Sequence, residues 1–90
     1  RRPVPIRGSE EVVPFDTVIV AIGNESNPLI SRTTPQLHVD RHGHIIVDER
    51  QQTSIDRVYA GGDIVLGSAT VILAMGEGRR AAQAINEILQ

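Results

Sequence analysis

Between Ala74 and Leu89 the small and apolar residues Ala74, Gly78, Ala81, Ala82, Ile85, Ile88 and Leu89 recur at three- and four-residue intervals, while Glu77, Arg80, Gln83 and Glu87 fall between them. That period is one side of an α-helix and predicts a helix from about Thr70 to Leu89. Gly76 and Gly78 lie inside it although each glycine costs about 1 kcal/mol relative to alanine in a helix interior, so close packing against a sheet or a ligand is expected there. Upstream the pattern changes to short apolar runs. Residues 11–15 and 17–21 are β-rich, split by Asp16, and the second is continuous enough for a strand buried on both faces. Residues 58–60 form a shorter run that stops at Gly61 and Gly62, as a buried strand must where the chain turns abruptly. Residues 36–48 read as a β-hairpin turning at 40–43. The prolines at 3 and 5 restrict the start to an edge strand or an extended lead-in, and Gly8-Ser-Glu is a turn signal. Asn24-Glu-Ser-Asn-Pro28 is rich in turn formers. Residues 29–35 are expected to be irregular, with Leu29 and Ile30 able to anchor a helical turn that Pro35 would end. Residues 49–54 are a polar connection.

Composition narrows the picture. The chain has 90 residues, 40% of them apolar, with one each of Phe, Tyr and Met, enough for one modest aliphatic core. A net charge of -2 leaves no basic footprint, so a nucleic acid partner is not expected. No apolar stretch approaches the roughly 20 residues of a membrane span and no secretory leader pattern is visible, which makes a soluble cytoplasmic protein the expectation. Without cysteine there is no disulfide framework, thiolate metal site or redox-active cysteine pair. The chain begins at Arg1 and its one methionine is Met75, which is the expectation for an excised C-terminal piece.

The candidate chemistry lies at 61–71. Two glycines permit a tight turn and leave room for a bulky neighbour. Asp63 follows as a carboxylate at the C-terminal end of a strand, where open α/β sheets bind their ligands, and a carboxylate suits hydroxyl donors. A second reading of Asp63 is a helix cap in ordinary turn chemistry. Residues 66–70 can enter the long helix, whose free N–H groups favour an anion or a polarised carbonyl.

Tyr59-Ala-Gly-Gly-Asp63 followed by Ala69-Thr-Val-Ile-Leu-Ala-Met-Gly-Glu-Gly-Arg-Arg-Ala-Ala82 resembles the C-terminal flavin-contacting motif of flavoprotein reductases with two dinucleotide-binding domains. The likeness is strongest to the small (beta) chain of NADPH-dependent glutamate synthase and its relatives. Asp16-Thr-Val-Ile-Val-Ala-Ile-Gly23 is similar to the strand and glycine by which such chains leave the NADPH domain and re-enter the FAD domain. The resemblance implies an α/β fold in which residues 1–23 are the tail of the NAD(P)H-binding domain and crossover strand. Residues 24–90 would then be the C-terminal part of the FAD-binding domain, built from a β-hairpin, a buried strand and a long helix. It implies FAD as cofactor, with NADPH held largely outside these residues. Asp63 would bond the ribityl chain, with Gly62 and Ile64 beside it and backbone nearing the phosphates. Gly23 would pass close to the flavin, and Ala69, Thr70 and Val71 would lie by the pyrimidine end of its ring. The implied partners are the rest of the enzyme and an iron–sulfur acceptor such as the large glutamate synthase subunit. Ferredoxin, polysulfide or a pyrimidine on the acceptor side remains open, as does a non-catalytic chain that pairs with itself through uncovered apolar surface.

Other signals have plainer explanations. Gly76-Glu-Gly-Arg-Arg-Ala81 fits a dinucleotide pattern but lies in helical register and not at a strand-to-helix turn. His38, Asp40, His42 and His44 alternate like metal ligands, yet a turn at 40–43 destroys the alternation. Arg79 and Arg80 are expected to be solvated. No general base, nucleophile or metal site stands out.

Overall fold

Asn27 accepts a hydrogen bond from the Leu29 N–H at 3.0 Å, and Pro28 stands at the first helical position, a pairing of cap and proline suited to starting a helix. In the computed structural model, which describes residues 2–90, this starts α1 (Pro28–Thr33), followed by α2 (Asp63–Leu66) and α3 (Val71–Leu89). The irregular segment expected at 29–35 is therefore mostly helical, and its start signal was the pair Asn27-Pro28. Thr70 caps α3 by accepting from the Leu73 N–H at 3.3 Å, which fixes the predicted start of the long helix.

Extended pairing among the described residues is confined to two isolated antiparallel bridges, Val39 with Ile45 and Gln52 with Tyr59. Of the hairpin expected at 36–48, the structure holds the turn and pairing across residues 38–46 without a regular strand: the Asp40 N–H donates to the His44 carbonyl at 2.9 Å, the Gly43 N–H to Asp40 at 3.0 Å and the Ile46 N–H to His38 at 3.1 Å. The strand expected at 58–60 is reduced to the single bridge at Tyr59, and Val58 is 41% exposed. The run at 17–21, expected to be buried on both faces, is unpaired, and Val18, Ile19 and Val20 are 76%, 84% and 76% exposed. Both corrections have one cause: a buried parallel strand needs paired neighbours on both edges, whereas among the described residues 17–21 have no strand partner and the later run pairs only through the bridge from Tyr59 to Gln52.

The packed part is small. Among the described residues the buried apolar ones are Leu37, Ile45 and Ala84, joined by buried Gln51, Thr53 and Glu77. The covered face of α3 runs through Ala74, Glu77, Ala81 and Ala84, rotated from the face that hydrophobicity predicts. Gly78, Ala82, Ile88 and Leu89 are exposed, and Glu77, expected on the polar side, is buried. Gly76 and Gly78 have no atom within 4 Å of where a Cβ would stand, so the close packing expected of them is not made within this chain. The radius of gyration is 18.5 Å, against roughly 12 Å for a compact chain of this length, because residues 2–23 run as an extended arm without helix or strand. Among the described residues no helix is long and apolar enough to cross a membrane.

Candidate functional site

Asp40 organises the hairpin tip. Its Oδ1 accepts from the backbone N–H of His42 at 2.8 Å and of His44 at 3.0 Å, and its Oδ2 lies 3.3 Å from the His44 Nδ1. These bonds hold its carboxyl below the ordinary value of 3.8: the His44 N–H contributes most, and the His42 N–H and the His44 ring act in the same direction against partial burial. A depressed folded value means that the turn's stabilisation is complete above pH 3.8 and is lost as pH falls from there through the lower folded value. An NMR titration of the Asp40 carboxyl is expected to give a midpoint below 3.8; a midpoint at or above it would contradict the turn geometry.

The hairpin is tied directly to α2, since the Ile45 N–H donates to the Ile64 carbonyl at 2.8 Å. The same junction brings the His44 ring over Gly67, whose absent Cβ would stand 3.1 Å from His44 Cε1 and 3.2 Å from Nε2. Gly67 also has φ +79, so backbone shape and close approach both call for glycine there. Between this junction and the loop after Gly23 opens a cavity of about 240 Å³, lined among others by Asn24, Ser26, His44, Asp63, Ile64 and Ser68. Asp63, the first residue of α2, has an exposed side chain.

Behind the cavity, a buried tie fixes the glycine turn to the long helix. Gln51 is 4% exposed and Glu77 5%. The Gln51 Nε2 donates to the Glu77 carboxylate and to the Ala60 carbonyl, the latter at 3.3 Å. Arg80, itself half exposed, donates to the other oxygen of Glu77. Gln51 has φ 65, a left-handed conformation that surrounding contacts must hold in place. Its N–H donates to Asp48 at 3.0 Å, and its carbonyl accepts from Ala60 at 3.0 Å. Gly61 packs directly on the helix backbone, 3.0 Å from its virtual Cβ to the Glu77 carbonyl carbon.

Of the residues singled out from sequence, Asp63 and Ile64 line the cavity, and Gly23, with φ +125, directly precedes its wall at Asn24. Gly62, with φ +89, sets the turn into α2 and faces Ala74. Ala69, Thr70 and Val71 lie at the start of α3 and outside the lining of this cavity. Gly76 to Ala81 lie wholly inside α3. From sequence, His44 was weighed only as a metal ligand and Glu77 was placed on the polar side of the helix, while Gln51 went unmarked. His42 and His44 stand with ring centroids 6.0 Å apart, and among the described residues no three acidic or imidazole groups are grouped to hold a metal ion.

A family profile described as pyridine nucleotide-disulphide oxidoreductase matches residues 4–86. The chain is 43% identical over 91 residues to the NADP(+)-dependent formate dehydrogenase subunit beta of Moorella thermoacetica, covering all of this chain and 13% of that protein. It is 39% identical over 94 residues to the glutamate synthase [NADPH] small chain of Escherichia coli (strain K12), covering 100% of this chain and 20% of that one. It is 43% identical over 86 residues to the glutamate synthase [NADPH] small chain of Azospirillum brasilense, covering 93% and 18%. The chain thus spans a fifth or less of the length of these relatives.

Proposed function

The chain belongs to the pyridine nucleotide-disulphide oxidoreductase family, and from that premise we propose that it is the FAD-binding C-terminal portion of an NADPH-dependent flavoprotein oxidoreductase of the glutamate synthase small-chain type. Residues 1–23 act as the tail of the nucleotide-donor domain and the crossover strand, and residues 24–90 as the C-terminal part of the FAD domain. The observation that carries this reading is the cavity between the loop after Gly23 and α2, with the Asp63 carboxylate on its wall.

The lining fits the middle of a flavin dinucleotide by its chemistry. Asn24, Ser26 and Ser68 donate and accept, Asp63 accepts, and no lysine or arginine among the described residues lines this cavity, so hydroxyl groups suit it better than phosphates. Gly23 and Gly67 leave backbone bare on either side, and both have positive φ. When bound, FAD supplies hydride acceptance from NADPH and onward transfer of electrons to an iron–sulfur partner. The chain's own share is to bind and orient. Asp63 takes hydroxyl hydrogens of the ribityl chain, with Gly62 shaping the turn and Ile64 lying alongside. The start of α3 at Ala69, Thr70 and Val71 turns the positive end of a 19-residue helix toward negative charge on a reduced ring.

Uncovered apolar surface supports a partnership with the rest of the enzyme. Val71 at 74%, Met75 at 65% and Leu89 at 80% exposed make a second stripe along α3, beside the covered one. Solitary exposed apolar residues are ordinary, but contiguous ones mark contact surface. The fragment by itself is therefore a cofactor-holding module, and turnover belongs to the longer protein.

The test is a titration of this chain with FAD followed by flavin fluorescence, alongside Asp63→Ala. Loss of a hydrogen bond to a charged acceptor is worth about 1.5–3 kcal/mol, so the variant is expected to bind roughly tenfold or more weakly. Equal affinity of the two proteins would remove Asp63 from the site. A wild-type chain that leaves flavin fluorescence unchanged would refute the half-site reading altogether.

A further inference from the structure

The hairpin tip faces the same cavity as Asp63. We infer that His44 is a second contact for the polyhydroxyl segment of the bound dinucleotide, opposite Asp63; this rests on the flavin reading above. Three observations carry it. His44 lines the cavity together with Asp63, Gly67 and Ser68, and it also lines the neighbouring hollow beside Asn24 and Arg41. Its ring is oriented: Asp40 holds Nδ1 at 3.3 Å and the backbone N–H at 3.0 Å, while the Ile45 N–H bonded to Ile64 fixes the hairpin against α2. Its far edge, Cε1 and Nε2, lies over bare Gly67 backbone, where a Cβ would meet it at 3.1 and 3.2 Å.

The chemistry follows from that orientation. With Nδ1 turned to a carboxylate, the imidazole keeps its proton on that nitrogen and offers Nε2 as an acceptor. Carboxylates of Glu25 and Asp63 share the cavity wall and Asp40 stands behind the ring, which disfavours a phosphate at this point. Neighbouring hydroxyls of a polyhydroxyl ligand, one donating to Nε2 and another to the Asp63 carboxylate, satisfy both acceptors without bringing more negative charge. The pairing of Asp40 with His44 thus has the form by which a carboxylate sets the tautomer and direction of an imidazole.

The experiment compares wild type, His44→Leu, His44→Gln and Asp63→Ala by FAD fluorescence titration, with far-UV circular dichroism to check that α3 is retained. His44→Leu removes the acceptor at similar volume and is expected to weaken FAD binding about five- to tenfold, as loss of one hydrogen bond of about 1–1.4 kcal/mol does. His44→Gln keeps an acceptor and is expected to recover most of the affinity. If Asp63→Ala loses affinity and His44→Leu does not, the inference falls and the flavin reading stands. If both His44 variants lose affinity equally, the side chain acts only in holding the hairpin, and the inference falls. A wild type that does not bind FAD overturns the flavin reading and this inference with it.

Discussion

Glu77→Leu is expected to lower the chain's unfolding free energy by about 1.5–3 kcal/mol, the cost of removing a charged hydrogen-bond acceptor from a buried donor. The volume is nearly kept, so packing loss is small. What remains is a Gln51 amide, 4% exposed, left with only the Ala60 carbonyl at 3.3 Å. The ion pair with Arg80 adds little, because Arg80 is 56% exposed and pairs three or four apart on a helix surface are worth about 0.2–0.5 kcal/mol. Glu77→Gln keeps an acceptor and is expected to lose less than the leucine variant. With three apolar residues in the core, a loss of this size is a large part of the available stability. Urea denaturation followed by circular dichroism reads it directly, and a Leu variant within about 0.5 kcal/mol of wild type would show that the tie does not matter, since changes that small are typical of surface sites.

Gly61→Val is expected to be as damaging, for a steric reason. A Cβ at 61 would stand 3.0 Å from the Glu77 carbonyl carbon and 3.1 Å from its oxygen and Cβ. Two of these atoms are helix backbone and cannot rotate away. The glycine turn and α3 must separate, at an overpacking cost of about 1–3 kcal/mol, and separation also displaces Asp63 two residues on. Both denaturation midpoint and FAD affinity are therefore expected to fall. Gly76→Ala serves as the contrast, because nothing lies within 4 Å of its added Cβ, and alanine favours a helix interior by about 1 kcal/mol. Equal effects at 61 and 76 would contradict the close approach.

What could be read from the residues, and what could not, follows from the range of the forces involved. The long helix was legible because Thr70 caps it locally and its period is sustained. Its buried face was misjudged because Glu77 is charged, and its burial is made tolerable by the distant Gln51 together with Arg80 on the same helix. Helix α1 follows from two adjacent residues, Asn27 and Pro28, whereas α2 is four residues between Gly62 and Gly67, too short to leave a period. The runs at 17–21 and 58–60 have strand composition, but a strand is a relation between segments, and the described residues supply few partners. Asp63 was marked by its place after two glycines. His44 was not singled out for the cavity, because its position depends on the hairpin folding back against α2.

The tie between Gln51 and Glu77 also bears on the order in which the chain organises itself. Helix α3 is built from contacts between near neighbours and can form on its own timescale. The tie closes a span of 26 residues, and loop closure costs entropy before any contact is gained. Closing it draws Ala60, Gly61 and Gly62 onto the helix, and Asp63 reaches the cavity wall in the same step. Assembly of the turn that carries Asp63 is thus expected to be a late, long-range event of folding, because it waits on a buried hydrogen bond between residues 26 apart in sequence.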